Sequence, residues 1–231
     1  MKPITHALSE HLEKGLPYPI ITAHSGCEGT PDNSLAHVKT AIESGADAFE
    51  IDIHMGENNT LILSHDIPTG SESIPTLAEA FRLAAEHPSI CINCDVKEEN
   101  IKLPVLTLAK EYGLVSRIVF TGSYNMEEIR DIAHSDADWW INVWNASDKE
   151  VDSAFARYAE LSNVYRVFNI HHGMLTPEYA ARASAAGYSF SVWTVNDEDT
   201  LRRMMACPCV CNITTRIPRL ALAIRKEIFG I

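Results

Sequence analysis

Short runs of β-branched and aromatic residues alternate with amphipathic stretches of helical period along nearly the whole chain. The strand-like runs are Ile20–His24, Ala48–His54, Ile90–Val96, Ile118–Thr121, Trp139–Val143, Tyr165–Ile170, Ser189–Thr194 and Val210–Thr214. Helical patterns follow them at Ser34–Ser44, Leu77–Glu86, Leu103–Tyr112, Met126–His134, Lys149–Leu161, Pro177–Ala186, Glu198–Met205 and Pro218–Ile228. Asn33, Asn125 and Asp197 are N-cap types placed before helical runs, and Thr176–Pro177 sets proline at a first helical position. Strand–helix units repeated in this way predict an α/β protein with a parallel sheet. The number of units favours a closed (β/α)8 TIM barrel, with an open doubly wound sheet as the alternative, because periodicity does not report closure.

One insertion breaks the alternation. After Ala48–His54 comes the turn-type cluster Gly56-Glu57-Asn58-Asn59, then the apolar run Leu61-Ile62-Leu63 and Ser64-His65-Asp66. This predicts an extra β-hairpin strand after the second strand, with Met55 facing Thr60, Asp52 facing Leu63 and Glu50 facing His65. A slip of one residue would turn His65 to the other face.

Composition narrows the class. The chain has 231 residues, of which 46% are hydrophobic, enough for one sizeable core, and we read residues 1–231 as a single domain. A formal net charge of −12 argues against a nucleic-acid partner and requires a cation at any site that binds phosphate. Met1–Leu16 is studded with charged residues and lacks an apolar run, so neither a signal peptide nor stable membrane insertion is expected and the predicted location is cytoplasmic. The six cysteines are expected to be reduced thiols. Cys91 and Cys94 have a C-x-x-C spacing but sit in a predicted strand that points them to opposite faces, against a zinc site; Cys207, Cys209 and Cys211 form a C-x-C-x-C.

In a strand, residues two apart share a face, so Glu50 pairs with Asp52 and Asp95 with Lys97, each pair at the C-terminal end of its strand. In a barrel those ends form the mouth where sites are assembled. Three carboxylates in one site repel one another unless a cation neutralises them, and oxygen-only ligation suits one divalent ion, Mg²⁺ or Ca²⁺. Adding Lys97, His24 and His65 supplies a charge clamp and an acid/base pair, the equipment for phosphoryl transfer at a diester.

The motifs then carry a resemblance. Ala23-His24-Ser25-Gly26, Pro31-Asp32-Asn33-Ser34, Glu50-Ile51-Asp52-Ile53-His54 with His65-Asp66, Asn93-Cys94-Asp95-Val96-Lys97, Val192-Trp193-Thr194-Val195-Asn196 and Ile213-Thr214-Thr215-Arg216-Ile217-Pro218 occur in one order from His24 to Pro218. In that order they resemble the A-H-R-G, P-E-N-T/S, E-x-D-V-H…H-D, I-E-x-K, V-W-T-V-N and I-T-D-R-P blocks of the glycerophosphodiester phosphodiesterase family. The resemblance implies that Glu50, Asp52 and Asp95 hold the cation, His24 and His65 act as acid and base, Lys97 grips a phosphate oxygen, and Trp193 lines the pocket near the leaving alcohol. The implied reaction converts a small-molecule glycerophosphodiester to glycerol 3-phosphate and an alcohol, with either water or a substrate hydroxyl as nucleophile.

Departures qualify this. Ser25 stands where the family has a phosphate-gripping arginine, so the substrate-binding position at Ser25 offers one neutral hydroxyl in place of a charged fork. That motivates an alternative, an impaired or respecialised homologue that binds a different phosphodiester. Asp95 stands where the family has Glu, Asp32 likewise replaces Glu and is expected to serve the start of the following helix, and the stretch after Asp66 is short, predicting an open pocket. His54 is a supporting candidate beside Glu50 and Asp52. His171-His172 and Glu28 are weaker candidates, and Trp139, Trp140 and Trp144 are read as packing residues.

Overall fold

The computed structural model describes residues 18–68, 73–143 and 167–231. The N-terminal stretch Met1–Leu16, Trp144 and the helix expected at Lys149–Leu161 lie outside the described residues, as do the first two residues of the strand expected from Tyr165.

Among the described residues, ten strands form one sheet. They are β1 (Ile20–Ala23), β2 (Ala48–Met55), β3 (Leu61–Leu63), β4 (Cys91–Val96), β5 (Ile118–Gly122), β6 (Asp138–Trp139), β7 (Ile141–Val143), β8 (Val167–His171), β9 (Ser189–Trp193) and β10 (Val210–Thr215). The order is β6-β5-β4-β2-β1-β10-β9-β8-β7, with every pairing parallel except β3, which returns antiparallel on β2. The two ends of that order are neighbours in the chain. β6 and β7 are one strand interrupted at Trp140: β6 pairs with β5, the Trp140 N–H still donates to the Phe120 carbonyl at 2.9 Å, and from Ile141 onward the strand pairs with β8. The single strand expected at Trp139–Val143 is therefore split, because its ladder on one side ends where its ladder on the other begins. The sheet closes on itself as a TIM barrel, which removes the open-sheet alternative.

Outside lie helices α1 (Leu35–Ser44), α2 (Leu77–Ala85), α3 (Lys102–Glu111), α4 (Met126–Ala133), α5 (Pro177–Ala185), α6 (Glu198–Met205) and α7 (Pro218–Phe229). Their starts follow local chemistry. Thr76 and Glu79 form a capping box at α2, the Asn125 side chain accepts from the Glu127 and Glu128 N–H groups at α4, and Asp197 caps α6. At α1 the cap is Ser34, which accepts from the His37 N–H, and Asn33 lies one residue outside it.

Period-two alternation divides the strands. Phe49, Ile51, Ile53, Ile92, Cys94 and Phe120 face outward into the main apolar core beneath the helices. Inward, the N-terminal end of the barrel is plugged by Ile20, Ala48, Cys91, Val119, Trp140 and Val167. Cys91 and Cys94 thus fall in different layers. Above the plug the interior turns polar, and at the C-terminal strand ends it becomes charged.

The hairpin forms with a register one residue from the expected one. Met55 pairs with Leu61, His54 with Ile62 and Ile53 with Leu63. Asn58 and Asn59 both take positive φ (55° and 58°), and the Gly56 N–H closes on the Thr60 carbonyl at 2.8 Å, so the connection consumes one residue more than expected.

Candidate active site

A pocket opens at the C-terminal ends of the strands, lined on one side by His24, Glu50, Asp52, His65, Asp95 and Lys97. Asn93, Thr121, Asn142, Asn169, Trp193, Thr194 and Thr214 complete its wall. Of the residues given catalytic, cation or substrate roles from sequence, all except Ser25 border it, whereas the weaker candidates His54, His171, His172 and Glu28 do not.

The carboxylates converge because β2 and β4 are parallel neighbours in a register that sets Glu50 against Asn93 and Asp52 against Asp95. Glu50, Asp52 and Asp95 each offer an oxygen within 4.8 Å of the other two. Lys97 Nζ lies 2.6 Å from Asp52 Oδ1 and 2.6 Å from Asp95 Oδ2. Burial opposes charge on Lys97, but the two carboxylates outweigh it and hold the ammonium well above its ordinary range. Burial likewise works to raise Asp52, but Lys97 and the Asn33 amide keep it below the usual carboxylate range. Glu50 goes the other way: burial first, then the charges of Asp52 and Asp95, push its carboxyl well above that range. Even with Glu50 held toward its neutral form, one ammonium faces two further carboxyl groups, and the oxygen-only donor set fits a hard divalent cation at these three residues.

Asn33, read from sequence as a cap, instead fixes Asp52. Its Nδ2 donates to Asp52 Oδ2 at 2.8 Å, its Oδ1 accepts from the Asp52 N–H at 2.9 Å, and its own N–H donates to Ser25 Oγ at 2.6 Å. The Ser25 hydroxyl is thereby turned away from the pocket and buried, while the Ser25 N–H donates to Glu50 Oε2 at 2.9 Å. Position 25 positions Glu50 and Asn33. Gly26 beside it sits at φ 77°, and a Cβ there would fall 1.9 Å from Asp32 Oδ1. Asp32 does not serve the helix start: it pairs with Arg216 at 3.1 Å. That arginine stands close enough to His24 for its charge to act on the ring.

His24 Nδ1 lies 2.8 Å from the Ser25 carbonyl. A carbonyl accepts only, so Nδ1 carries the hydrogen and Nε2 keeps its lone pair. Burial lowers the His24 pKa, with Arg216 adding to the effect and the Ser25 carbonyl opposing it, so the ring is neutral at neutral pH.

His65 reaches the pocket despite the shifted register, because β3 ends at Leu63 and the chain turns, with the Ser64 N–H on the Asp52 carbonyl at 3.1 Å. Its ring is exposed and donates Nδ1–H to Asp66 at 3.0 Å. His54 is buried behind it, with Nδ1 2.6 Å from Glu98 Oε1 and Nε2 3.2 Å from the His65 carbonyl. It supports the His65 segment and does not line the pocket.

The opposite wall is neutral. Thr22 Oγ1 donates to Asn212 Oδ1, Asn212 Nδ2 to Ser191 Oγ, Ser191 Oγ to Asn169 Oδ1, and Asn169 Nδ2 to Asn142 Oδ1, at 2.7–2.8 Å throughout. Sequence reasoning passed over this belt, although the period-two phase of Asn142, Asn169, Ser191 and Asn212 marks them as inward once the barrel is closed. Trp193 stands at its upper edge, its ring edge-on to His171 with centroids 5.5 Å apart. Glu28 is spent at the start of α7, accepting from the Arg219 N–H at 3.1 Å.

Fold and site define a class: a TIM barrel with a three-carboxylate cluster, two histidines and a lysine at its mouth. No family model matches the sequence. A glycerophosphodiester phosphodiesterase of Caldanaerobacter subterraneus subsp. tengcongensis is 23% identical over 224 residues, covering 80% of this chain and 89% of that protein. Among solved structures, a putative glycerophosphoryl diester phosphodiesterase of Agrobacterium tumefaciens superposes with a TM-score of 0.77 at 15% identity, covering 93% of this chain and 100% of that one. An Oleispira antarctica phosphodiesterase in complex with the product sn-glycerol-3-phosphate gives 0.74 at 17% identity, covering 95% and 99%. The solved structures share this fold, and the sequence match is to a protein of the same name.

Proposed function

We propose that the protein hydrolyses glycerophosphodiesters to glycerol 3-phosphate and an alcohol, with one divalent cation, Mg²⁺ or Ca²⁺, held by Glu50, Asp52 and Asp95. The observation that carries the reading is the cluster itself: three buried or half-buried carboxylates converging beside Lys97 and two histidines at a barrel mouth. A cation bound there supplies Lewis-acid stabilisation to a phosphate oxygen. His24, neutral and with Nε2 free, takes the proton of the attacking hydroxyl. His65, in its imidazolium form with Nδ1–H held by Asp66, donates the Nε2 proton to the departing oxygen. Lys97 contributes fixed positive charge as charge builds on phosphorus. Trp193 gives the leaving alcohol an apolar wall. The six thiols are free, which supports a cytoplasmic site of action.

A second reading is favoured by one observation, the burial of Ser25 outside the pocket lining, with its Oγ accepting from the Asn33 N–H. Position 25 then delivers no donor to phosphate, and the homologue binds a different phosphodiester or cleaves slowly. A panel of glycerophosphodiesters, assayed for glycerol 3-phosphate with the protein and with His24→Ala, separates the two. Release that His24→Ala abolishes supports hydrolysis; binding without release supports the second reading; release unaffected by His24→Ala contradicts the mechanism.

A further inference from the structure

At the end of the barrel remote from the pocket, the chain leaves α6 and enters β10 through Cys207-Pro208-Cys209-Val210. The Cys207 N–H donates to the Met204 carbonyl at 3.1 Å, and the Val210 N–H donates to the Cys207 carbonyl at 3.0 Å, closing a four-residue turn. Pro208 occupies its second position, where the fixed φ of proline is suited. The turn bends the two flanking cysteines together: their sulfurs are 3.1 Å apart. Cys207 is half-buried and open to a small reagent, whereas Cys209 is buried against the core.

The pair is chemically unequal. The Cys209 S–H and the backbone N–H groups of Cys209 and Val210 point at the Cys207 sulfur and, against burial, hold its pKa down to about 6. Cys209, as the donor and by burial, is pushed far above the thiol range. Cys211 does not join them. Its Sγ donates to the Phe190 carbonyl at 3.3 Å and packs against the barrel plug. Among the described residues the three-ligand cluster of metal-binding type is Glu50, Asp52 and Asp95, so the C-x-C-x-C run is not a metal knuckle. Burial raises the thiols of Cys27, Cys94 and Cys211, which leaves Cys207 as the activated sulfur of this set.

We propose that Cys207 and Cys209 are a reversible thiol–disulfide site, oxidised by hydroperoxides. The Cys207 thiolate attacks the terminal peroxide oxygen; the O–O bond breaks, the alcohol or water leaves with a proton, and Cys207 becomes a sulfenic acid. Cys209 then attacks that sulfur, the S–S bond forms, and the hydroxyl leaves as water with the Cys209 proton. Two thiols lose two electrons in all, and one hydroperoxide gains them. The step uses no residue of the pocket and does not depend on the phosphodiesterase reading.

The test is mass spectrometry of the whole protein after hydrogen peroxide. A tryptic peptide from Met204 to Arg216 holds all three cysteines, so fragmentation assigns the bond. The expected result is loss of two hydrogens and of two alkylatable thiols, reversed by dithiothreitol, in the wild type and in Cys211→Ser alike. Cys209→Ser should stop at a dimedone-trappable sulfenic acid on Cys207, and Cys207→Ser should stay reduced at the same peroxide dose. The alkylation rate of Cys207 in Cys211→Ser should rise with pH to a midpoint near 6. A bond joining Cys209 to Cys211, a disulfide surviving in Cys207→Ser, or both thiols still alkylatable after peroxide would overturn the proposal.

Discussion

The two halves of the barrel interior contrast. From β1 through β4 the inward positions at the mouth carry His24, Glu50, Asp52, Asp95 and Lys97, charged or chargeable and tied by short contacts. From β7 through β10 the interior carries Asn142, Asn169, Ser191 and Asn212, a neutral chain in which each group serves its neighbour. The neutral half is satisfied within itself, while the charged half keeps an excess of negative charge that Lys97 alone does not offset. The proposed chemistry therefore falls on one side, and the other side is a polar wall.

The largest effect expected from breaking this contrast is at His24. His24→Ala should lower the rate of glycerol 3-phosphate release by roughly 10²–10⁴-fold, the usual worth of a positioned acid or base, with little change in thermal stability. Next comes Asn33→Ala, which removes the two Asn33 bonds to Asp52 and leaves Lys97 as its remaining partner; activity or cation affinity should fall about 10–100-fold, read by divalent titration. In the neutral half the effect should change kind. Asn169→Leu leaves Ser191 and Asn142 short of partners, so chemical denaturation should show a loss of about 1–3 kcal/mol while the catalytic rate changes far less. A large rate loss there would erase the distinction between the halves.

The smallest expected effect is a pH slope. His37 is buried, with Nε2 3.0 Å from the Glu50 carbonyl and Nδ1 without a hydrogen-bond partner, and burial holds its pKa down to about 4. Its folded value lies below the ordinary one near 6.5, so the unfolded chain takes up a proton first as pH falls. Stability from this group is complete above about pH 6.5 and drains away toward pH 4, on the order of 1–2 kcal/mol by pH 5. Denaturation at pH 7 and pH 5, compared between wild type and His37→Gln, should show the wild type losing more.

The same contrast explains what the sequence disclosed. Carboxylates and a lysine at period two in buried strands stand out because charge is costly there, so Glu50, Asp52, Asp95 and Lys97 were legible together with the strands that bear them. Asn169 and Ser191 carry no such signature, since an amide in a strand is ordinary until closure shows which face is inward. Asn33 was misassigned because an N-cap and a residue just outside one have the same composition. The hairpin register failed by one residue because two consecutive asparagines at positive φ lengthened the loop, which spacing does not reveal. His65 reached the pocket only because β3 stops short of it.

Two glycines at the site enforce close approach; Gly26 falls in one of the motif blocks, whereas Gly122 has no distinguishing mark in the sequence. Gly122 follows Thr121, whose hydroxyl lies 2.8 Å from Asp95 Oδ1; at φ 87°, a Cβ there would fall 2.1 Å from the Val96 carbonyl oxygen and 2.7 Å from Asp95 Oδ1. Gly26 plays the corresponding part beside Asp32.

The measurement that tests the central claim most directly is glycerol 3-phosphate release from a glycerophosphodiester by EDTA-stripped protein as Mg²⁺ or Ca²⁺ is added back, with Asp52→Asn alongside. The account predicts no release after stripping, restoration by a divalent cation at saturating concentration, and a response shifted to higher cation concentration or lost in Asp52→Asn. Release that persists in EDTA, or restoration identical in Asp52→Asn, would contradict the assignment of the charged half as a cation site.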